Sequence, residues 1–366
     1  MFKNIYKDKK VLITGNTGFK GSWLTIWLLK LGANVYGLSK DIPSEPSMFK
    51  ELGLEKKIVH YEQDVRDLES VKRIIKEVKP DFVFHLAAQS LVSVSYTDPI
   101  ETISTNVLGT TNVLEALNES NHNCVGLIIT SDKCYDNVEW AWGYKETDTL
   151  GGKDIYSGSK GAAELIFKSY YHSFFMKNES NVKVATTRAG NVVGGGDWAK
   201  NRIVPDCMRA WSNNEIVEIR SPNATRPWQH VLEPLSGYLA LGKIIYEEQD
   251  LNGESFNFGP ASQHSHTVEQ LLQDMSKKWN IQNPSQAYKI TDDIKFHEAG
   301  LLKLNCDKAL FHLKWLPTLS YEELIDFTGS WYFNFYKKKE KMFGYTLEQV
   351  DKYEQIAANK DIQWTK

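Results

Sequence analysis

Apolar positions along the chain fall into short runs alternating with amphipathic stretches, a rhythm that predicts repeated strand–helix–strand units. Lys10-Val-Leu-Ile-Thr14 reads as a strand, Ser22 to Leu31 as an apolar helix ended by Gly32, and Ala33 to Leu38 as a second strand. Ile58 to Gln63 alternates apolar and polar residues and predicts a third strand, with Asp64 at its end. Val71 to Lys79 predicts a basic helix closed by Pro80, and Asp81 to Ala88 a buried strand. Thr105 to Ala116 reads as a helix packing through Val107, Leu108, Val113 and Leu114. Leu127 to Thr130 is too short for a helix and reads as a strand, as does Val182 to Arg188. Leu235 to Tyr246 and Val268 to Trp279 predict two further helices, separated by a short strand and turn over Ser255 to Pro260. The expected fold class is α/β: a doubly wound, mostly parallel sheet with helices on both faces and a smaller α/β lobe.

At 366 residues and 42% hydrophobic content the chain can bury a large core and favours two domains. A net charge of −3 offers no footprint for nucleic acid. Cys124, Cys134, Cys207 and Cys306 contain no C-x-x-C pair, which argues against a metal site or disulfide framework and suits a reducing cytoplasm. The apolar run after the basic start, Val11 to Ile13, is far shorter than the 7–15 or so residues of a signal-peptide core. No stretch approaches the roughly 18 apolar residues of a membrane span. Lys337 to Lys341 reads as a solvated charge run.

Chemistry enters at the first strand end. Gly15-Asn-Thr-Gly18-Phe-Lys-Gly21 lies between strand and helix, where glycines let the backbone turn tightly against a pyrophosphate at a helix N-terminus. Gly15, Thr17, Gly18, Phe19 and Gly21 are therefore candidate dinucleotide contacts. Asp41, about 20 residues past the last glycine, is placed to accept from a ribose hydroxyl and to repel the extra phosphate of NADP, which favours NAD. Its neighbour Lys40 pulls the other way. Asp64 and Val65 fall near the adenine side, and the small Ala87-Ala88 pair allows close approach of the cofactor. His85 reads as a satisfied core histidine, and Asn106 as a buried hydrogen-bonding residue.

Ser131-Asp132-Lys133 places a hydroxyl, an acid and a base at the carboxyl end of a strand, where open α/β sheets bind ligands. Tyr156 and Lys160, four apart, share one face of a helix. A cation beside a phenol lowers the phenol pKa from its usual value of about 10, so Tyr156 can take a hydroxyl proton while the carbon loses hydride. In the second half, Arg220 and Arg226 flank a short polar segment, and a guanidinium matches a pair of diphosphate oxygens. Trp140, Trp142 and Trp198 offer faces on which a sugar or base can stack, although packing is the commoner role of a tryptophan.

The runs Gly15-Asn-Thr-Gly-Phe-Lys-Gly-Ser-Trp-Leu24, Thr130-Ser-Asp-Lys-Cys-Tyr-Asp136 and Arg226-Pro-Trp-Gln-His-Val231 together resemble the extended short-chain dehydrogenase/reductase superfamily. Within it, the chain is similar to the CDP-glucose group of the sugar-nucleotide 4,6-dehydratases, over about residues 8 to 330. Related dehydratases carry Asp-Glu where this chain has Asp132-Lys133, and the CDP-glucose group carries Asp-Lys. The resemblance implies a Rossmann domain over 1–187 rejoined by 229–257, a nucleotide-sugar lobe over 188–228 and 258–330, and a helical tail over 331–366. It implies bound NAD, CDP-glucose as substrate, and a homodimer or dimer of dimers paired through the helices after Thr105 and Tyr156. It assigns catalysis to Ser131, Asp132, Lys133, Tyr156, Lys160 and Asn106. Tyr156 takes the C-4 hydroxyl proton, Lys160 holds the nicotinamide ribose, and Ser131 steadies the C-4 oxygen. Lys133 removes the C-5 proton and Asp132 protonates the leaving C-6 hydroxyl. Substrate contacts are implied at Asn191, Arg202, Arg226, Asn257, His297 and Glu298. An epimerase, or a dehydratase of another nucleotide sugar, stays open as an alternative. A non-catalytic nucleotide-binding protein has no need of the Tyr156–Lys160 pair.

Overall fold

The computed structural model describes residues 1–366 apart from 178–179, 220, 248–249, 262–265, 292–300 and 340. Among the described residues the central sheet has seven strands: β1 (Lys10–Thr14), β2 (Asn34–Ser39), β3 (Val59–Glu62), β4 (Phe82–His85), β5 (Cys124–Ile129), β6 (Val182–Ala189) and Ser255–Phe258. All pair in parallel, in the spatial order β3, β2, β1, β4, β5, β6, Ser255–Phe258. The order reverses between β1 and β4, and at such a switch point the helices diverge to leave a crevice at the strand ends.

Alternate residues of a strand point to opposite faces. In β1, Val11 and Ile13 join a core with Trp23, Trp27, Leu235 and Phe256, whereas Leu12 joins Val71, Ile74, Val113 and Phe167 on the other face. Burying Leu12 alone is worth about 1.5–3 kcal/mol. Helix α1 (Phe19–Lys30) is buried from Gly21 to Leu28 because it lies between the sheet and the helix Met342–Asn359. The Trp27 indole donates to Glu354 at 2.7 Å, and Phe2 stacks on Trp364 with ring centroids 5.0 Å apart. Beyond β6, short ladders join Val217–Ile219 to Tyr288–Ile290, Thr225–Arg226 to His266–Thr267, and Val192–Val193 to Gln229–His230.

Several element ends differ from the sequence expectation. β4 stops at His85, because its neighbour β1 turns away at the paired Thr14, and Leu86 to Ala88 form a half-buried loop. β3 ends at Glu62, so Asp64 stands two residues beyond it. The helix expected from Thr105 is instead a π-helical turn, Ser104–Leu108, running into the helix Gly109–Asn118. Among the described residues no helix is long and apolar enough to cross a membrane, and no group of three His, Cys, Asp or Glu side chains is placed to hold a metal.

Candidate active site

The glycine turn at the end of β1 has no room for side chains. Gly15 sits at φ +75°, and a methyl there would meet the Ala87 nitrogen at 2.7 Å; one on Gly21 would meet the Gly15 carbonyl at 2.2 Å. Gly18 is the N-cap of α1 and has no side-chain oxygen, so the N–H groups of the first turn, beginning at Phe19, are left for an anion. These features fit a dinucleotide pyrophosphate. The Thr17 hydroxyl donates to the Asp41 carbonyl at 2.7 Å, which ties the segment after β2 to the turn and leaves the Asp41 carboxylate exposed. Lys40, the neighbour that would welcome an extra phosphate, is bound to Glu101 at 2.6 Å. Asp64 accepts from the Arg66 guanidinium and backbone, and although burial pushes its carboxyl up, Arg66 holds it below the usual range. Val65 is buried and its carbonyl accepts from Asn112.

β5 ends at Ile129, and a 3₁₀ turn, Asp132–Cys134, follows at the sheet's carboxyl edge. Ser131 caps it, accepting from the Lys133 N–H at 3.3 Å and donating to Asp132 at 2.9 Å. Asp132 is buried against Gly190, where a methyl would meet its Oδ2 at 1.8 Å, and Lys133 is half-buried. The helix Ile155–Tyr170 starts at Asp154, which accepts from the Ser157 N–H at 2.9 Å, and presents Tyr156 and Lys160, both buried. Its approach to the turn is close, since a methyl on Gly161 would meet the Cys134 carbonyl at 3.2 Å.

The expected lowering of the Tyr156 pKa is not met in this structure. Burial pushes the phenol up to about 12; Ser131 and Arg202 pull it back and Asp132 adds to the rise. Spacing in the sequence reveals a neighbouring cation but not desolvation, which is the largest effect on this phenol. Burial likewise lowers Lys160 to about 8. Asn106 donates to the Gln89 carbonyl and to Ser159 and accepts from the Gln89 N–H, at 2.8–3.0 Å. Its amide is fully engaged in holding the loop after β4 to the Tyr156 helix, so Asn106 positions the site rather than meeting substrate. His85 bonds Thr14 and Thr110 through its two ring nitrogens, the core role expected of it.

Of the second-half candidates, Arg202 reaches the centre: it binds Asp197 at 2.8 Å and Ser90 at 3.2 Å and acts on the Tyr156 phenol. Asn191 stands at φ +53° beside Gly190, with its carbonyl accepting from the Gln229 N–H. Arg226 is half-buried on the short strand Thr225–Arg226, donating to the Thr225 carbonyl. Asn257 is a correction. It is wholly buried, accepting from Tyr135 and donating to the Tyr144 and Asn305 carbonyls, so no part of its amide is left for a diphosphate. His297, Glu298 and Arg220 lie outside the described residues. Trp198 packs among Trp331, Tyr332 and Phe335, whereas Trp140 and Trp142 are exposed.

Lys20 belongs to the site without any sequence signal of its own. This half-buried lysine of the glycine turn is lowered to about 8 by burial and by the Arg202 and Lys160 charges, against the pull of Asp132. Its amine therefore lies within electrostatic reach of the catalytic candidates. Those neighbours come from three distant segments, so no local pattern announces them. Gly190 was also missed as the floor beneath Asp132.

The family model described as GDP-mannose 4,6 dehydratase matches residues 12–328. A CDP-glucose 4,6-dehydratase of Salmonella typhimurium is 44% identical over 333 residues, covering 90% of this chain and 92% of that protein. An epimerase from Methanothermobacter thermautotrophicus superposes with a TM-score of 0.76 at 25% identity, over 91% of this chain and 95% of its own. A dTDP-glucose 4,6-dehydratase of Streptomyces venezuelae, solved with NAD bound, shares the fold at 20% identity and a TM-score of 0.75, over 88% of this chain and 96% of its own. The glycine turn, the Ser131–Asp132–Lys133 turn and the Tyr156 helix all fall inside the matched span, and the chain belongs to the GDP-mannose 4,6 dehydratase family.

Proposed function

We infer that the protein is a CDP-glucose 4,6-dehydratase, an NAD-dependent hydro-lyase that gives the 4-keto-6-deoxy sugar nucleotide. One observation carries the reading: an acid and an amine, Asp132 and Lys133, are held on one turn against the helix of Tyr156 and Lys160. The 44% identity to a CDP-glucose enzyme supports the choice of substrate.

Water does not leave C-6 of glucose readily, because the C-5 proton is not acidic until C-4 is a ketone. Tyr156 takes the C-4 hydroxyl proton, and Ser131 holds the C-4 oxygen. The Gly15–Gly21 turn would hold NAD, which would supply the hydride acceptor for C-4 and the hydride donor for C-6, and whose positive charge would favour the phenolate that burial opposes. Lys160 is assigned to the cofactor ribose. Lys133 removes the C-5 proton and Asp132 protonates the departing C-6 hydroxyl; as hydride reaches C-6, Lys133 returns a solvent-exchanged proton to C-5. The glycine turn from Gly15 to Gly21, with Thr17, Gly18 and Phe19, is assigned to the pyrophosphate, Asp41 to a ribose, Asp64 and Val65 to the adenine, and Ala87 and Ala88 to close passage of the cofactor. Arg202, Arg226 and Asn191 are assigned to the nucleotide sugar, in a lobe built from 188–228 and 258–330. Exposed Ile100, Ile103, Leu108 and Leu165, on the segment before Gly109 and on the Tyr156 helix, support pairing of two copies across these helices. Four free cysteines accord with a cytoplasmic enzyme.

Incubation with CDP-, dTDP-, UDP- and GDP-glucose and a trace of NAD tests the reading. CDP-glucose is expected to give the 4-keto product fastest, with many turnovers per NAD and no net build-up of NADH. Preference for another base, or consumption of one NAD per product, contradicts it.

A further inference from the structure

Behind the catalytic turn lies a buried ion pair to which the reaction assigns no role. Glu164 and Arg188 meet at 2.7 Å, with 1% and 3% of their side chains exposed. The carboxylate also accepts from the hydroxyls of Thr130, at 2.5 Å, and Thr186, at 2.9 Å. The guanidinium donates to the Tyr135 hydroxyl at 2.7 Å and the Glu146 carbonyl at 3.1 Å. Tyr135 in turn donates to Asn257 at 2.8 Å, whose backbone N–H meets the Glu146 carboxylate at 2.8 Å.

Such a pair is a poor device for stability. Desolvating two charges offsets most of their attraction, and apolar replacements are often neutral or better. One guanidinium nitrogen, Nε of Arg188, is buried with no hydrogen-bond partner. Its arrangement is more telling. Thr130 immediately precedes Ser131 and Tyr135 immediately follows Cys134, so the two ends of the catalytic turn are tied to the two halves of one ion pair. Glu164 lies four residues after Lys160 and eight after Tyr156, on the same helical face. Three segments that must keep a common register for the two halves of the reaction therefore meet here.

We propose that the Glu164–Arg188 pair is a positioning element for the elimination half of the reaction, fixing the Asp132–Lys133 turn relative to Tyr156. The inference rests on the dehydratase reading above. Loosening the turn from the pair moves Lys133 and Asp132 away from C-5 and C-6, while Tyr156, carried on its own capped helix, still supports oxidation at C-4.

Thr130→Val and Tyr135→Phe each remove one hydroxyl of the network and keep the shape of the side chain; Glu164→Gln removes the charge. Wild type and variants are mixed with CDP-glucose in deuterated buffer, following reduced nicotinamide absorbance and deuterium at C-5. For the two hydroxyl variants the expected result is a kcat lower by up to about 100-fold, as for catalytic groups displaced by about 1 Å, with KM little changed. Enzyme-bound reduced nicotinamide should build up and C-5 labelling should slow. A merely structural pair predicts loss of thermal stability, with oxidation and elimination scaled down together. That result, or unchanged kinetics in folded Thr130→Val and Tyr135→Phe, overturns the proposal even if Glu164→Gln fails to fold. Absence of product from wild type overturns the dehydratase reading instead.

Discussion

Lys133→Met is expected to oxidise CDP-glucose without dehydrating it. The turn should survive the change, because its geometry is set by the Ser131 cap on the Lys133 N–H and by the buried neighbours Asp132 and Cys134, not by the lysine amine. Methionine keeps an unbranched stem of similar bulk, so packing should shift little. What disappears is the one group assigned to the C-5 proton. Loss of a general base typically costs about 100-fold to 10,000-fold. Bound reduced nicotinamide should accumulate on mixing, and in deuterated solvent the sugar should remain protonated at C-5 where wild-type product carries deuterium. Losing a charge also alters the oxidation equilibrium, so absorbance alone is ambiguous and the C-5 label decides. Elimination and C-5 exchange at the wild-type rate would show that Lys133 is not the base.

Tyr156→Phe is expected to stop the reaction one step earlier. The ring is buried in the first turn of a helix capped by Asp154, so phenylalanine should keep the packing and lose only the hydroxyl that faces Ser131, Asp132 and Arg202. Turnover should fall by about 100-fold to 10,000-fold, with nucleotide-sugar binding nearly intact. Unlike Lys133→Met, this variant should show neither reduced nicotinamide nor C-5 exchange. Near-normal turnover would remove Tyr156 from the centre of the mechanism.

The two variants test residues that sequence alone singled out, and the reason is physical. Short apolar runs ending in glycine or in clustered polar residues have few readings in an α/β chain, so β1, β2, β5 and β6 fell within a few residues of their observed places. The π-helical turn at Ser104–Leu108 could not be read, because one extra residue in a helical turn barely disturbs the spacing of Val107, Leu108 and Val113. Asn257 misled for the opposite reason. A polar residue between Phe256 and Phe258 suggests a ligand contact, yet its partners are Tyr135, Tyr144 and Asn305, all distant in sequence. Lys20, Gly190 and the Glu164–Arg188 pair share that property: each acquires meaning only when segments more than twenty residues apart are brought together. The Tyr156 pKa failed at another level, since spacing shows a nearby cation but not how little water reaches the phenol.

The most direct test of the account follows a single deuterium. CDP-glucose labelled at C-4 is converted by the wild-type enzyme in ordinary water, and the product is examined by NMR and mass spectrometry. If the same site oxidises C-4, removes water and returns the hydride, the deuterium appears at C-6 of a 4-keto-6-deoxy sugar, within one molecule. Deuterium retained at C-4 of a sugar that has lost no water, or released on the cofactor into solution, would contradict it.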